Sequence, residues 1–471
     1  MRALCADALD AAVAGGASYA DARAIVRRDQ LVATRGGRVI AVNDQESEGI
    51  GVRVLVGGAW GFACSRQLSE QGAGEAARRA CGFARAAAGD GKRELAPVEA
   101  RSVEFRPEVR TDPFGVSVAD KVALCLGAEE AMRLPGIVVT SARLRAFRER
   151  KLLLTTDGVE ADQERVECGG GIEAVAAADG VVQSRSYPAG SGGRSAQSGW
   201  EYVDELRFPD EAPRVGEEAV ALTRAPVCPS GRTTVVLDAD QVVSQLHESV
   251  GHPTELDRIH GTEAAYAGTS FLSPADLGTL RYGSELMNVT ADATLLRGLG
   301  SFAVDDEGFP AQREAIVEAG VLRGFTSSRE LGGGGSMRSD GWNRMPLVRM
   351  TNLSLEPGEG SFEELLDGVA EGVYLETNKS WSIDDKRLNF QFGTELAREI
   401  RNGRLGRLLR DATYTGITPP FWSSLDAVAG PEEWVVVGII NCGKGQPGQV
   451  AHVSHGASPA RFRDVQVGVR S

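Results

Sequence analysis

At 471 residues the chain is too long for one hydrophobic core, so two or three domains are expected. A formal net charge of −14 argues against nucleic acid or an anionic membrane surface as the main partner. Hydrophobic residues at 42% and charged residues at 25% are the balance of a soluble globular protein. No apolar stretch reaches 18 residues, so no membrane-spanning helix is expected. The N-terminus, Met1-Arg-Ala-Leu-Cys-Ala-Asp-Ala-Leu-Asp10, carries acids where a signal peptide is apolar. The seven Cys are scattered and form no C-x-x-C pair, which fits a reducing, cytoplasmic location.

Residues 2–14 have the period of an amphipathic helix ended by Gly15-Gly16. Short strands are expected at Ala20–Val26, Leu31–Thr34, Val39–Val42, Gly51–Val56 and Trp60–Cys64, with turns at Gly36-Gly37 and Gly57-Gly58. Residues 68–88 are Ala-rich with helical period, and 90–116 read as a connection. The pattern then recurs. A helix over 117–133 leads into strands at Val138–Phe147, Leu152–Thr155, Gly171–Ala176 and Val181–Ser186, and a helix at 209–224 closes the unit. The first 225 residues therefore read as one α+β domain with an internal duplication, 1–90 and 117–225, on an antiparallel sheet with helices on one face.

The Pro/Gly-rich segment Ala225–Gly231 marks a boundary. Residues 226–471 read as a second, strongly curved and mostly β domain with one principal helix, Ala239–Val250, inserted early. Residues 253–285 are expected to form a long ordered loop. Helices are expected only at Phe362–Leu366 and 419–428, an Asn402-Gly403 type I′ turn joins two strands, and Asp464–Val469 is the last strand. Gly332–Gly335 lacks the Lys-Ser/Thr of a phosphate loop and reads as a flexible lid or linker.

The most informative stretch is Gln245-Leu-His-Glu-Ser-Val-Gly-His-Pro-Thr-Glu-Leu-Asp257. It holds two of the chain's five His, His247 and His252, bracketing Glu248. Neutral imidazoles suit Zn²⁺, and a carboxylate beside them can act as a general base. The spacing, however, is H-E-x-x-x-H rather than H-E-x-x-H. At about 100° per residue, a position five on lies about 140° around a regular helix, too far for both rings to meet one ion. Gly251 and Pro253 suggest a helix that stops near Val250 and lets His252 swing back; a π-bulge would serve equally. A catalytic zinc keeps three protein ligands. Candidates for the third are His260, His452, His455, Cys442, Glu255, Asp257, Asp305 and Asp306, and spacing alone does not choose among them.

Five segments together resemble the TldD/PmbA family of metallopeptidases over nearly the full length. They are His247-Glu-Ser-Val-Gly-His252, Gly49–Phe62, Arg349-Met-Thr-Asn-Leu353, Asn389-Phe-Gln-Phe-Gly393 and Asn441-Cys-Gly-Lys-Gly-Gln446. The resemblance implies Zn²⁺ on His247, His252 and Cys442, with Glu248 catalytic. It implies the TldD-like, motif-bearing branch, a heterodimer with a PmbA/TldE-like chain (a homodimer being the other arrangement), and hydrolysis of unfolded or modified peptides inside an enclosed cavity. Two other classes remain open on the sequence: a non-catalytic peptide-binding subunit with structural zinc, and a zinc amidase acting on a small substrate.

Overall fold

The computed structural model describes residues 1–89, 91–190 and 192–468. One residue of the expected 90–116 connection and the end of the expected last strand lie outside these. Helix α1 (Arg2–Ala14) precedes β1 (Tyr19–Arg35), β2 (Arg38–Val56), β3 (Ala59–Ser65) and α2 (Glu70–Ala86). Then come β4 (Arg101–Phe105), α3 (Val118–Ala131), β5 (Ile137–Thr155), β6 (Val159–Ala178), β7 (Val181–Tyr187), β8 (Arg194–Gln197), α4 (Glu201–Glu205) and α5 (Phe208–Arg224). The eight strands form one sheet of order β3-β2-β1-β5-β6-β4, with β7 and β8 also on β6. The order α1-β1-β2-β3-α2 recurs as α3-β5-β6-β7-α5, and the two hairpins meet where β1 pairs antiparallel with β5.

The structure departs from the sequence expectation in three places here. The expected short strands merge into four strands of 17 to 20 residues. Their charged middles are strand because cross-strand ion pairs line both faces: Arg27 with Glu149 at 2.5 Å and Glu149 with Arg165 at 2.9 Å on one, and Arg28 with Asp44 at 2.8 Å on the other. The connection contains β4, whose pairing with β6 is parallel, so the sheet is not purely antiparallel.

The two faces of this sheet differ. On one, Ala20, Ala22, Ala24, Leu152 and Leu154 pack beneath α1 and α2, while Val32, Ala142 and Leu144 pack beneath α3 and α5. Alternate residues point the other way. They place Asp21, Arg23, Arg53 and Lys151 against the loop Asp305–Glu307, where Arg23 pairs with Asp306 at 3.2 Å and Arg53 with Glu307 at 3.1 Å. The helix-free face is thus an ionic seam to the C-terminal half.

That half carries β9 (Gly231–Leu237), α6 (Ala239–Leu246), β10 (Val289–Asp292), β11 (Arg313–Glu318), β12 (Val321–Leu322), β13 (Met337–Arg338), β14 (Leu347–Val348), β15 (Leu353–Leu355), β16 (Glu371–Ile383), β17 (Asn389–Arg401), β18 (Arg404–Leu409), β19 (Thr413–Ile417), β20 (Leu425–Val428), β21 (Val435–Lys444), β22 (Gln449–Ala457) and β23 (Ala460–Val467). Pairings run β16-β9-β23-β19-β17, and β17 pairs back to β16, so the curved sheet closes on itself. Phe392 stacks on Tyr414 and Phe421 on Phe462, in a core to which α6 contributes Val242, Val243 and Leu246. Asn402 and Gly403 both have positive φ, as a type I′ turn requires. The helix expected over 419–428 is cut short: Thr418–Ser423 is helical and Leu425–Val428 is strand β20. Gly332–Gly335 is no flexible lid, because a Cβ on Gly334 would meet the Phe309 ring at 2.2 Å and Gly335 N–H donates to Asp305. No helix among the described residues is long and apolar enough to cross a membrane.

The hairpin β21–β22 docks on the N-terminal sheet at Gly438, where an added Cβ would lie 2.0 Å from the Ser195 carbonyl oxygen. A main-chain atom cannot yield as a flexible side chain can. Gly438→Ala is expected to cost about 1–3 kcal/mol, read as a lowered thermal midpoint, whereas Gly443→Ala in the same strand, with open space around it, leaves the midpoint nearly unchanged.

Candidate metal centre

Helix α6 starts on an Asp238 cap, whose carboxylate accepts from Gln241 N–H at 2.7 Å. It does not stop at Val250. From His247 to Gly251 it widens into one π-turn, and His252 N–H donates to the His247 carbonyl, five residues back. The extra residue in H-E-x-x-x-H is absorbed there. The imidazoles of His247 and His252 come to lie edge to face with ring centres 4.8 Å apart. The main-chain groups disturbed by the wider turn have partners: Thr254 Oγ1 donates to the Val250 carbonyl at 2.8 Å, and Tyr282 Oη to that of Ser249. Gly251 is needed for a different reason than a left-handed turn. Its φ is −59°, and a Cβ there would lie 2.1 Å from Met350 Sδ.

Cys442 arrives from the other end of the chain. In the β21–β22 ladder Ile439 faces Val453 and Cys442 faces Ala451, so three residue steps oppose two. This bulge reverses the alternation and re-aims the Cys442 side chain. Sγ lies 4.0 Å from His252 Nε2, and the donor atoms of His247, His252 and Cys442 all fall within 4.8 Å of one another. All three residues are buried.

The hydrogen bonds behind the two imidazoles bear on which of their atoms are free. His455 Nδ1 lies between two groups of Leu353, its carbonyl at 2.9 Å and its N–H at 3.2 Å; we assign the proton to Nδ1 because the shorter contact is to the carbonyl, which can only accept. His455 Nε2 then accepts from His247 Nδ1 at 2.7 Å, leaving the His247 Nε2 lone pair unengaged. His252 Nδ1 donates to Glu255 Oε2 at 3.0 Å, with the same result for its Nε2. Burial raises the pKa of Glu255, but Lys444, His252 and Arg258 more than offset it and hold the carboxyl well below its usual range. Burial likewise opposes ionisation of Cys442, and Arg349 and His252 outweigh it, lowering the thiol. Two unprotonated imidazole nitrogens and an acidified thiol are a donor set that fits a divalent, borderline-soft ion such as zinc.

Glu248 lines the same cavity, of about 300 Å³, with Arg387, Trp381 and Phe392. Its Oε2 is bonded by Arg387 Nη1. Burial raises its pKa; His252, His247 and Arg387 overcome this and keep the carboxylate ionised at lower pH than usual. Arg387 sits at a φ of +62° in the turn between β16 and β17, a strained position for a non-glycine residue that directs its guanidinium inward.

The other candidates lie elsewhere or serve other roles. His260 is exposed. His452 faces the opposite side of β22, bonded to Glu167 at 2.6 Å. Asp257 pairs with Lys444 at 2.8 Å, Asp305 accepts main-chain N–H groups from Glu307, Phe309, Gly335 and Met337, and Asp306 pairs with Arg23. His455 and Glu255 sit behind the ligands rather than among them, and with both ring nitrogens engaged His455 is not an oxyanion donor. Sequence reasoning missed Arg387 altogether; the charged run Asp384-Asp385-Lys386-Arg387 reads as a solvated turn until the fold brings it to Glu248.

Three domain models of one family match end to end: PmbA/TldA metallopeptidase domain 1 over residues 20–88, the central domain over 111–225, and the C-terminal domain over 230–469. The chain is 30% identical to a metalloprotease of Methanothermobacter thermautotrophicus over 96% of its length and 95% of that protein's. It is 27% identical to a metalloprotease of Methanocaldococcus jannaschii, covering 94% and 95%. A zinc metalloprotease TldD homologue of Saccharolobus solfataricus is 26% identical over 51% of this chain and 52% of its own. The fold is that of TldE from Thermococcus kodakarensis (TM-score 0.74, 13% identity, 98% and 100% of the two chains) and of a candidate DNA gyrase modulator from Thermotoga maritima (TM-score 0.77, 18% identity, 99% and 100%). Matched from domain 1 to the C-terminal domain, the chain belongs to the PmbA/TldA metallopeptidase family.

Proposed function

We propose that the chain is a zinc-dependent peptidase in which His247, His252 and Cys442 hold the metal and Glu248 is the general base. The convergence of these three donors beside an ionised, buried carboxylate carries this reading. Zinc in this position supplies Lewis acidity, acidifying water and polarising a peptide carbonyl. Glu248 accepts the proton of the attacking water on its carboxylate and returns it to the departing amine nitrogen. Arg387 holds that carboxylate in place and keeps it charged. Glu255 and His455 keep the two imidazoles in the required tautomer and orientation.

The substrates we propose are unfolded or small peptides. Strand β21 pairs only with β22 among the described residues, and its stretch Val437–Gly443 lines the cavity. Its free edge offers main-chain groups to an extended chain regardless of sequence. Trp381 and Phe392 give that chain an apolar wall. Following the family, the partner is a PmbA/TldE-like subunit, with a second copy of this chain as the other arrangement. Seven free cysteines suit residence in the cytoplasm.

Three outcomes test this. Glu248→Gln should retain one zinc per chain while cleavage of an unfolded peptide falls by about 10²–10⁴; undiminished cleavage sinks the assignment. Cys442→Ser should lose zinc at concentrations that saturate the wild type, so full occupancy in the variant removes Cys442 from the ligand set. Glu255→Gln should weaken zinc binding by about 10–100-fold, measured by competition with a chelator, without loss of the folded circular dichroism spectrum.

A further inference from the structure

A second cavity, of about 280 Å³, lies between the charged face of the N-terminal sheet and the β21–β22 hairpin. Only Ile440 lines both this cavity and the one holding Glu248. Six cationic side chains reach it, against three carboxylates, Asp29, Glu149 and Asp340. Four of the six are matched. Arg27 and Arg165 share Glu149, Arg145 pairs with Asp29, and Lys151 with Asp306. Neither Arg338 nor Arg349 forms an ion pair with a carboxylate among the described residues; Arg349 instead faces the Cys442 thiol that it acidifies, which leaves Arg338 as the unmatched cation. Arg338 donates only to the main-chain carbonyls of His452 and Met350. Arg349 donates to the carbonyls of Gln449 and Cys442 and to Cys442 Sγ. The Nε atoms of both are buried without a partner.

Such an arrangement is unfavourable when empty of counter-charge. Each guanidinium has given up water, and the two repel each other and Arg165. Burial, Arg165 and Arg349 together pull the Arg338 pKa down to about 9. An ionic seam between two halves of a protein does not by itself require this, because carboxylates elsewhere in the same seam match their partners closely. What the site lacks is negative charge with several acceptor atoms, and there is room for it.

We propose that this cavity binds a small oxyanion, a carboxylate or phosphate group, on Arg338 with Arg165. Planar guanidinium forks favour the paired oxygens of these groups over a halide. Asp29 and Asp340, the more exposed carboxylates of the wall at 34% and 28%, together with the small volume, exclude an extended polyanion. The group is carried either by free phosphate or by a small carboxylic acid.

The test is titration calorimetry on the zinc-loaded protein at constant ionic strength, with inorganic phosphate, with acetate, and with sodium chloride and acetamide as controls. Saturable binding of phosphate, acetate or both, absent with the controls, is expected, and the stronger of the two names the source. Arg338→Met should weaken that binding at least tenfold and Arg338→Lys less; anion held on the metal would survive both changes. Should Arg338→Met fail to fold, Arg145→Gln, at the more open side of the cavity, should weaken binding as well. No binding beyond the chloride control, or undiminished binding in the folded variants, overturns the proposal.

Discussion

The hydrogen bond from His252 N–H to the His247 carbonyl sets the spacing on which the whole site depends. In a regular helix that donor would reach the residue four back, and the second imidazole would turn away from the first. One π-turn brings His252 directly over His247, and the cost of the wider turn is met locally. Thr254 and Tyr282 satisfy carbonyls at the turn, and Trp422 Nε1 holds Ser249 Oγ at 2.9 Å. Gly251 lets Met350 pack where any side chain would collide. The turn is therefore built into the aromatic core of the closed sheet, not left at a helix end.

A second irregularity mirrors the first. The one-residue bulge in β21 turns Cys442 toward His252, 190 positions earlier in the chain. Both elements that bring His247, His252 and Cys442 together thus carry one residue more than the regular structure, and the donors converge only when both irregularities are present. The site depends on long-range closure: β9 and β16 must pair in parallel, β23 must close on β9, and β22 must bring His455 against His247. Such contacts form late, after the loop-closure entropy has been overcome. The ionic seam to Asp306 and Glu307 then couples the N-terminal sheet to the same half.

Much of this was legible in the sequence, and the limits have physical causes. Helices such as Arg2–Ala14 and Glu70–Ala86, and hairpin turns marked by Gly36-Gly37 and Asn402-Gly403, stand where local signals put them. The off-spacing of His247 and His252 pointed to a bulge or a broken helix, and the structure has the bulge. The long strands were not legible because their charged centres are held by ion pairs across strands, within a hairpin as for Glu149 with Arg165 and between hairpins as for Arg27 with Glu149, and a charged run by itself reads as a solvated turn. Glu255 and His455 were visible as titratable groups, but whether such a group ligates or orients depends on which atom faces the cavity. Arg387 left no signal at all: its function depends on a strained turn that only the β16–β17 pairing defines.

The central claim is that one thiolate and two imidazoles, brought together by two one-residue irregularities, form a single metal site. X-ray absorption at the zinc edge of the protein carrying one zinc per chain tests it most directly. The account predicts one sulfur scatterer at about 2.3 Å and imidazole nitrogens at about 2.0–2.1 Å, with the sulfur signal absent from zinc-soaked Cys442→Ser. A shell of nitrogen and oxygen alone in the wild-type protein would contradict it.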